Sequence, residues 1–451
     1  MDKISEESKC IITTKDGPIC GYKENTDEGS IYKFKSIPYA KPPLGRLRFL
    51  PPSFVTSWTE LKDCTQDAPL PIQYFSINEI TGSEDCLYLE VSTPNLRPHK
   101  TLPVMFWIGC YRFFFFMDQM YDPNLLNAHD IIFVRCGFRL GPFGFLSVND
   151  FTAPGNCGLK DIVMALTWVQ RNISAFGGDP ANVTIFGSSA GGAMVHLMML
   201  SPMATGLFHK AIIQSASALN SWSLARNPFQ PVLELAKILD IEKNTFRKMV
   251  DDLVGEEKFE SQPAFITKLP VTILKSGIFN NVLLMIGSNN IEAALLQFLY
   301  EDFYENFEKF NKNLDLLVPR ALSGETHQSK SIGQQLLKFY LGGDDHLRED
   351  TKSQYLQLIS DYYFLYYVNK TVRLHSLTAP NASVYYYILN FAGEWVVPDL
   401  YKWFNSAGHS AELPLLFRMK LNNLPVCTRS RDTLTTRARV VKMWTNFAKY
   451  G

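Results

Sequence analysis

Asn182-Val183-Thr184-Ile185-Phe186, Gly187-Ser188-Ser189-Ala190-Gly191, Gly192-Ala193-Met194-Val195-His196-Leu197-Met198-Met199-Leu200 is the stretch whose reading decides the fold. An apolar, β-branched run predicts a strand, and the run after Gly191 predicts a helix. Between them lies a G-x-S-x-G pentapeptide. A serine between a strand and a helix in this pattern sits on a sharp turn that exposes its hydroxyl above the sheet. The flanking glycines follow from space, because a Cβ at either position would collide with neighbouring backbone in so tight a turn.

Outward from this turn, short apolar runs alternate with helical patterns. Val104–Ile108, Ile131–Phe138 and Ala211–Gln214 read as strands, as do Val282–Ile286 and Val384–Leu389 further on. Gly158–Ser174 places Leu159, Ile162, Val163, Ala165, Leu166, Val169 and Ile173 on one helical face. Such alternation predicts an α/β architecture, a mainly parallel sheet with helices on both faces. Residues 225–272 turn charged and helical, with Asp251, Asp252, Glu256, Glu257 and Lys258 clustered, and read as a helical cap or connection. No Pro/Gly/Ser-rich linker divides the chain, so residues 1–451 read as one domain with excursions.

Composition narrows the function. Hydrophobic residues make up 46% and charged residues 20%, the balance of a globular protein. Lysine plus arginine and aspartate plus glutamate both number 44, so no basic excess points to nucleic acid. The longest apolar stretch, Leu102 to Phe116, is too short for a transmembrane segment and contains Arg112. Residues 1–10 lack the apolar core of a signal peptide, which predicts an intracellular, cytoplasmic protein. The eight cysteines show no CxxC spacing and are expected as free thiols in a reducing compartment. The sequons at Asn172, Asn182, Asn369 and Asn381 would then stay unglycosylated.

A serine hydroxyl needs a base to take its proton, and the base needs a third group to orient it. In the strand–turn–helix setting these follow in the order serine, acid, histidine. Three histidines lie in the last quarter of the chain. His375 falls in a helical pattern and His346 in a surface turn, Gly342-Gly343-Asp344-Asp345-His346. His409 lies in a loop of small residues, Ser406-Ala407-Gly408-His409-Ser410-Ala411-Glu412. For the acid, Glu292 comes after the strand ending at Ile286 and the turn Gly287-Ser288-Asn289-Asn290. Active-site groups sit past the C-terminal ends of strands in α/β sheets. A carboxylate favoured by a helix N-terminus, or simply a solvated charge, are the other readings of Glu292.

These residues carry a family resemblance. Ser83-Glu84-Asp85-Cys86-Leu87-Tyr88-Leu89, Pro154-Gly155-Asn156-Cys157-Gly158-Leu159-Lys160-Asp161 and Phe176-Gly177-Gly178-Asp179-Pro180-Ala181-Asn182-Val183-Thr184 match the type-B carboxylesterase, cholinesterase-like pattern. So do the serine turn and the His409-Ser410-Ala411-Glu412 loop, and the chain most resembles the insect α-esterases. The resemblance runs from about Gly17 to Phe447 and implies an α/β-hydrolase fold with a Ser189–Glu292–His409 triad. It implies a serine carboxylic ester hydrolase for small-molecule esters, with no metal and no organic cofactor. It also implies ion pairs Arg48–Glu84 and Arg139–Asp161. Cys64 and Cys86 stand where many secreted relatives have a disulfide; here they are expected reduced or partly paired.

The chain departs from that pattern in the oxyanion loop. One donor would be the backbone N–H of Ala190. The family takes the others from a His-Gly-Gly-Gly-Phe loop, where this chain reads Gly109-Cys110-Tyr111-Arg112-Phe113-Phe114-Phe115-Phe116. Alignment on Phe113 puts Tyr111 and Arg112 at the donor positions, and a shift of one puts Cys110 and Tyr111 there. Side chains at those positions crowd the acyl group and disfavour glycine-only backbone angles. Ser188 replaces an acidic residue, Ala293 a glycine and Phe138 a tyrosine. The chain stops soon after Phe447, where relatives continue to a final helix, so a missing C-terminal helix and bare apolar surface are expected there. The alternative function is a catalytically weak or inactive member that binds or sequesters ligands.

Overall fold

The structure, a computed structural model, describes residues 8–76, 79–116, 120–148, 153–225, 229–238, 240, 264–295, 305–318, 326–391, 393, 406–421, 424–425 and 430–451. Its main sheet is built from β1 (Lys9–Thr13), β2 (Pro18–Thr26), β3 (Gly29–Pro38), β4 (Tyr88–Thr93), β5 (Leu102–Trp107) and β6 (Ile132–Cys136), followed by β7 (Gly178–Ser188), β8 (Lys210–Gln214), β9 (Leu283–Asn289) and β10 (Val384–Leu389). They lie in the order β1-β2-β3-β4-β6-β5-β7-β8-β9-β10, with the short strand Lys62–Asp63 beside β2. From β6 to β10 every pairing is parallel, while β1 to β4 and the β4–β6 pair are antiparallel. This is the mostly parallel, helix-flanked sheet of an α/β-hydrolase.

The parallel strands β5, β6, β8 and β9 and the second half of β7 are largely buried on both faces, which explains their continuous apolar runs, while the edge strand β10 is half-exposed. Val104 and Phe106 of β5, Ile132 and Val134 of β6, and Ile185 of β7 face the larger core. There they meet Ile162, Leu166 and Val169 of helix α1 (Cys157–Asn172) and Val195, Met198 and Met199 of helix α2 (Ala190–Leu200). The intervening residues Met105, Trp107, Phe133, Phe186, Ile212 and Met285 face a second core with Leu413, Leu416, Phe417 and Trp444. The antiparallel strands β1 to β4 escape the apolar-run reading because β1 to β3 are half-exposed and alternate polar with apolar residues.

Two ion pairs expected from the resemblance are present. Arg139 donates from Nε and Nη2 to the Asp161 carboxylate at 2.8 and 2.6 Å, and both side chains are buried. Arg48 meets Glu84 at 2.5 and 2.8 Å. Cys64 and Cys86 are buried free thiols. Most of the 225–272 excursion lies outside the described residues, and at its ends stand helices Phe229–Ile238 and Pro270–Ser276.

The last residues fold as a helix, Arg431–Tyr450, whose Val440, Val441, Trp444 and Phe447 are buried in the second core. Lys210 Nζ donates to the Ala448 carbonyl at 2.9 Å and so holds the carbonyl end of that helix, where a cation is favoured.

Helix α2 also carries His196, whose Nε2 lies 3.0 Å from His375 Nε2 on helix α4 (Tyr366–Thr378; α3 is Lys352–Ser360). The Ala218 amide donates to His196 Nδ1 at 3.0 Å, so the His196 proton sits on Nε2 and is donated to His375. Burial holds His196 well below the ordinary histidine value, with His375 adding repulsion, and lowers His375 to about 4. Between about pH 6.5 and 4 the unfolded chain therefore binds protons that the folded chain refuses, and stability falls as pH falls through that window. We expect the urea midpoint to drop more steeply from pH 7 to pH 5 in the parent than in His375→Gln, by about 1–2 kcal/mol in unfolding free energy. Equal acid losses in the two proteins would refute this.

Candidate active site

The turn after β7 has the predicted geometry. Ser189 adopts φ 58° and ψ −124°, outside both helical and extended regions. A Cβ on Gly191 would lie 2.0 Å from the Ile108 carbonyl oxygen, and one on Gly187 2.7 Å from Ile108 O and the Gly191 carbonyl carbon. Only glycine at these two positions lets β5 approach the turn so closely. The Ser189 amide donates to Gln214 O at 2.9 Å, tying the turn to the end of β8. Ala190 opens helix α2, so its N–H is among the first-turn amides that have no acceptor within the helix.

Glu292 and His409 meet although 117 residues separate them. His409 Nδ1 lies 2.6 Å from Glu292 Oε2, and both side chains are buried. The other carboxylate oxygen accepts from the Asn289 amide at 2.7 Å. Backbone bonds hold the two loops together: Ile291 N to Ala407 O at 2.9 Å, and His409 N to Glu292 O at 3.2 Å. Glu292 is therefore not a solvated charge; it is buried at the first position of a short 3-10 turn, Glu292–Leu295, with its carboxylate turned to His409. The other two late histidines lie apart from it: His346 is exposed beside Asp345, and His375 is paired with His196.

Behind the turn lies a group whose role the sequence did not reveal. Glu412 is buried, and its Oε1 accepts from Ser188 Oγ at 2.8 Å and Gln214 Nε2 at 3.0 Å. Its Oε2 accepts from Asn289 Nδ2 at 2.7 Å. Gln214 in turn accepts from Trp444 Nε1 at 3.2 Å. The one available signal was the placement of Ser188, Gln214 and Asn289, polar residues at the ends of three apolar strands. Ser188, a departure from the family pattern, thus occupies the position before Ser189 with a hydroxyl that donates to Glu412.

The loop after β5 forms a closed turn. Tyr111 N donates to Phe115 O at 2.8 Å, and the amides of Phe114 and Phe115 return to Tyr111 O. Arg112 and Phe113 stand at φ 54° and 65°, left-handed conformations that cost non-glycine residues of order 1–3 kcal/mol each. Packing holds them there: Gly141 N donates to Phe113 O at 3.0 Å, and the Phe113 ring meets Phe145 edge-on at 5.5 Å. Of the expected donors, the Tyr111 amide is engaged within the turn. Trp107, Cys110, Tyr111, Tyr121, Ser189 and Leu413 line the cleft above Ser189. The void at its centre is about 20 Å³, the size of one water.

With that geometry described, comparison with known proteins places the chain. The carboxylesterase family pattern matches residues 8–451. The chain is similar to juvenile hormone esterase of Tribolium castaneum, 33% identical over 98% of this chain and 83% of that protein. Esterase FE4 of Myzus persicae is 32% identical over 98% and 84%. The crystal structure of juvenile hormone esterase from Manduca sexta, with OTFP covalently attached, superposes with a TM-score of 0.84 at 27% identity, covering 98% of this chain and 90% of that one. The chain belongs to the carboxylesterase family and is a carboxylic ester hydrolase.

Proposed function

We propose that this protein hydrolyses small carboxylic esters through an acyl-enzyme, with Ser189 as nucleophile, His409 as general base and Glu292 as the group that orients the imidazole. The 2.6 Å contact between His409 Nδ1 and Glu292 carries this reading. It commits Nδ1 to the carboxylate and leaves Nε2 for the serine proton. Ser189 Oγ attacks the acyl carbon as its proton passes to Nε2. The alcohol then leaves with that proton, and a water activated by the same nitrogen cleaves the acyl–serine bond. Fluorophosphonate labelling is expected at Ser189 and absent in Ser189→Ala, together with hydrolysis of a short-chain aryl ester. Equal ester turnover in the parent and in Ser189→Ala would sink the assignment.

Glu412 supports the same centre from behind, because its three donors sit on the serine turn and on the ends of β8 and β9. Glu412→Gln turns one acceptor into a donor that faces other donors, at a cost of about 1–3 kcal/mol. The expected result is a lower melting temperature and at least about tenfold slower Ser189 labelling. A variant that melts and labels like the parent would refute the role.

The closed turn at Tyr111–Phe115 favours a second reading, weak or absent turnover with retained binding. Oxyanion stabilisation then depends on Ala190 N–H and on Arg112 or Cys110, without the Tyr111 amide. Losing one such donor typically costs ~10²–10³ in rate. Changing Tyr111 and Arg112 together to glycine is expected to raise kcat by about tenfold or more. An unchanged or lower kcat in a folded double variant would clear the turn of blame.

A further inference from the structure

The helical segment opposite His409 contains an irregularity that the triad reading does not use. Between α3 and α4 the backbone makes one π-turn, Asp361–Leu365, which inserts an extra residue and rotates helix α4 about the common axis. Such single turns inside α-helices occur frequently at functional sites. Asp361 is pinned at the start of the turn by Tyr340 Oη at 2.7 Å and Gln357 Nε2 at 2.9 Å. The Tyr363 carbonyl accepts from Asn220 Nδ2 at 2.5 Å and Trp222 Nε1 at 3.3 Å, both on the loop after β8. Between these anchors the buried Phe364 ring lies 4.8 Å from the His409 ring, tilted by 42°. The same segment reaches the acid: the Ala293 amide, next to Glu292, donates to Ser360 Oγ at 3.0 Å.

We infer that the π-turn Asp361–Leu365 is a positioning device for the general base, with Phe364 holding the His409 ring against Glu292 and stabilising its charged form. The inference rests on the reading of His409 as the base. When His409 takes the serine proton it becomes a cation, within the distance at which an aromatic ring attracts one. A regular α-helical turn would carry Phe364 out of this register and leave Tyr363 O without its two donors. The ionisable groups on the elements around His409 include Glu292, Glu412, Asp361 and the buried phenol of Tyr387, which interacts with both glutamates. Glu292 holds Nδ1, Glu412 is engaged by Ser188, Gln214 and Asn289, and Asp361 is engaged by Tyr340 and Gln357.

The test is the titration of the His409 imidazole by NMR in histidine-labelled protein, its signal assigned with His409→Gln. In Phe364→Leu, which keeps apolar bulk and removes the ring, the titration is expected about 0.4–1 pH unit lower than in the parent. Ser189 labelling is expected about two- to tenfold slower. Phe364→Tyr, which keeps the ring, should restore the parent titration. If Phe364→Leu does not fold, Asn220→Ala, which removes the shorter of the two hydrogen bonds to the Tyr363 carbonyl, should move the titration in the same direction. A parent-like titration in Phe364→Leu, or in the Asn220→Ala variant where Phe364→Leu does not fold, overturns the inference. Because the titration is read without turnover, it is separable from the nucleophile assignment: absence of Ser189 labelling in the parent defeats the proposed function, whereas an unmoved titration defeats only the role of Phe364.

Discussion

A carboxylate removed from water without a cation beside it ties the centre of this protein together. Glu412 is 1% exposed, and its partners among the described residues are neutral: a hydroxyl and two side-chain amides. Burying a carboxylate costs several kcal/mol unless its oxygens are met by donors, so all three must be in place at once. They come from the serine turn, the end of β8 and the end of β9, while Glu412 itself stands three residues after His409. Satisfying this one group therefore sets the relative position of the Ser189 turn, the Glu292 loop and the His409 loop. Trp444, bound to Gln214, extends the same constraint to the last helix.

The oxyanion side of the cleft is built on the opposite principle. Where glycines would accept left-handed angles freely, Arg112 and Phe113 are held there by the turn's own hydrogen bonds and by contacts with Gly141 and Phe145. The loop is ordered by packing, and that order engages an amide at one of the expected donor positions. The Ser189–Glu292–His409 cluster and the Tyr111–Phe115 loop are thus held by separate means in this chain. One is anchored at strand ends, the other in a loop that has taken on aromatic bulk.

Much of the fold was legible because the inner parallel strands are buried on both faces and read as plain apolar runs, and the half-exposed edge strand β10 is still dense in β-branched and aromatic residues. β7, β8, β9 and β10 lie where those runs predicted, and helix α1 matches the Gly158–Ser174 pattern to within two residues at its end. The N-terminal antiparallel strands were missed because solvent meets one of their faces and polar residues interrupt the pattern. Ser189, Glu292 and His409 stood out as candidates from local contexts, and the contact of the last two needed the fold. Glu412 stood in the histidine loop without a role, and Phe364 lay in a tyrosine-rich segment that reads as ordinary core.

By itself, then, the sequence determined the elements and the chemistry available to them. Periodicity specifies strand and helix, glycines at 187 and 191 specify the tight turn, and residue type specifies who can donate or accept a proton. It could not determine which distant groups meet. That Glu292 faces His409 across 117 residues, or Ser188 meets Glu412 across 224, comes from loop ends brought together at the edge of one sheet. Those contacts depend on burial, which exists only after the chain has closed around them, and burial gives a carboxylate, an imidazole and a phenyl ring surroundings that none of them has in the unfolded chain.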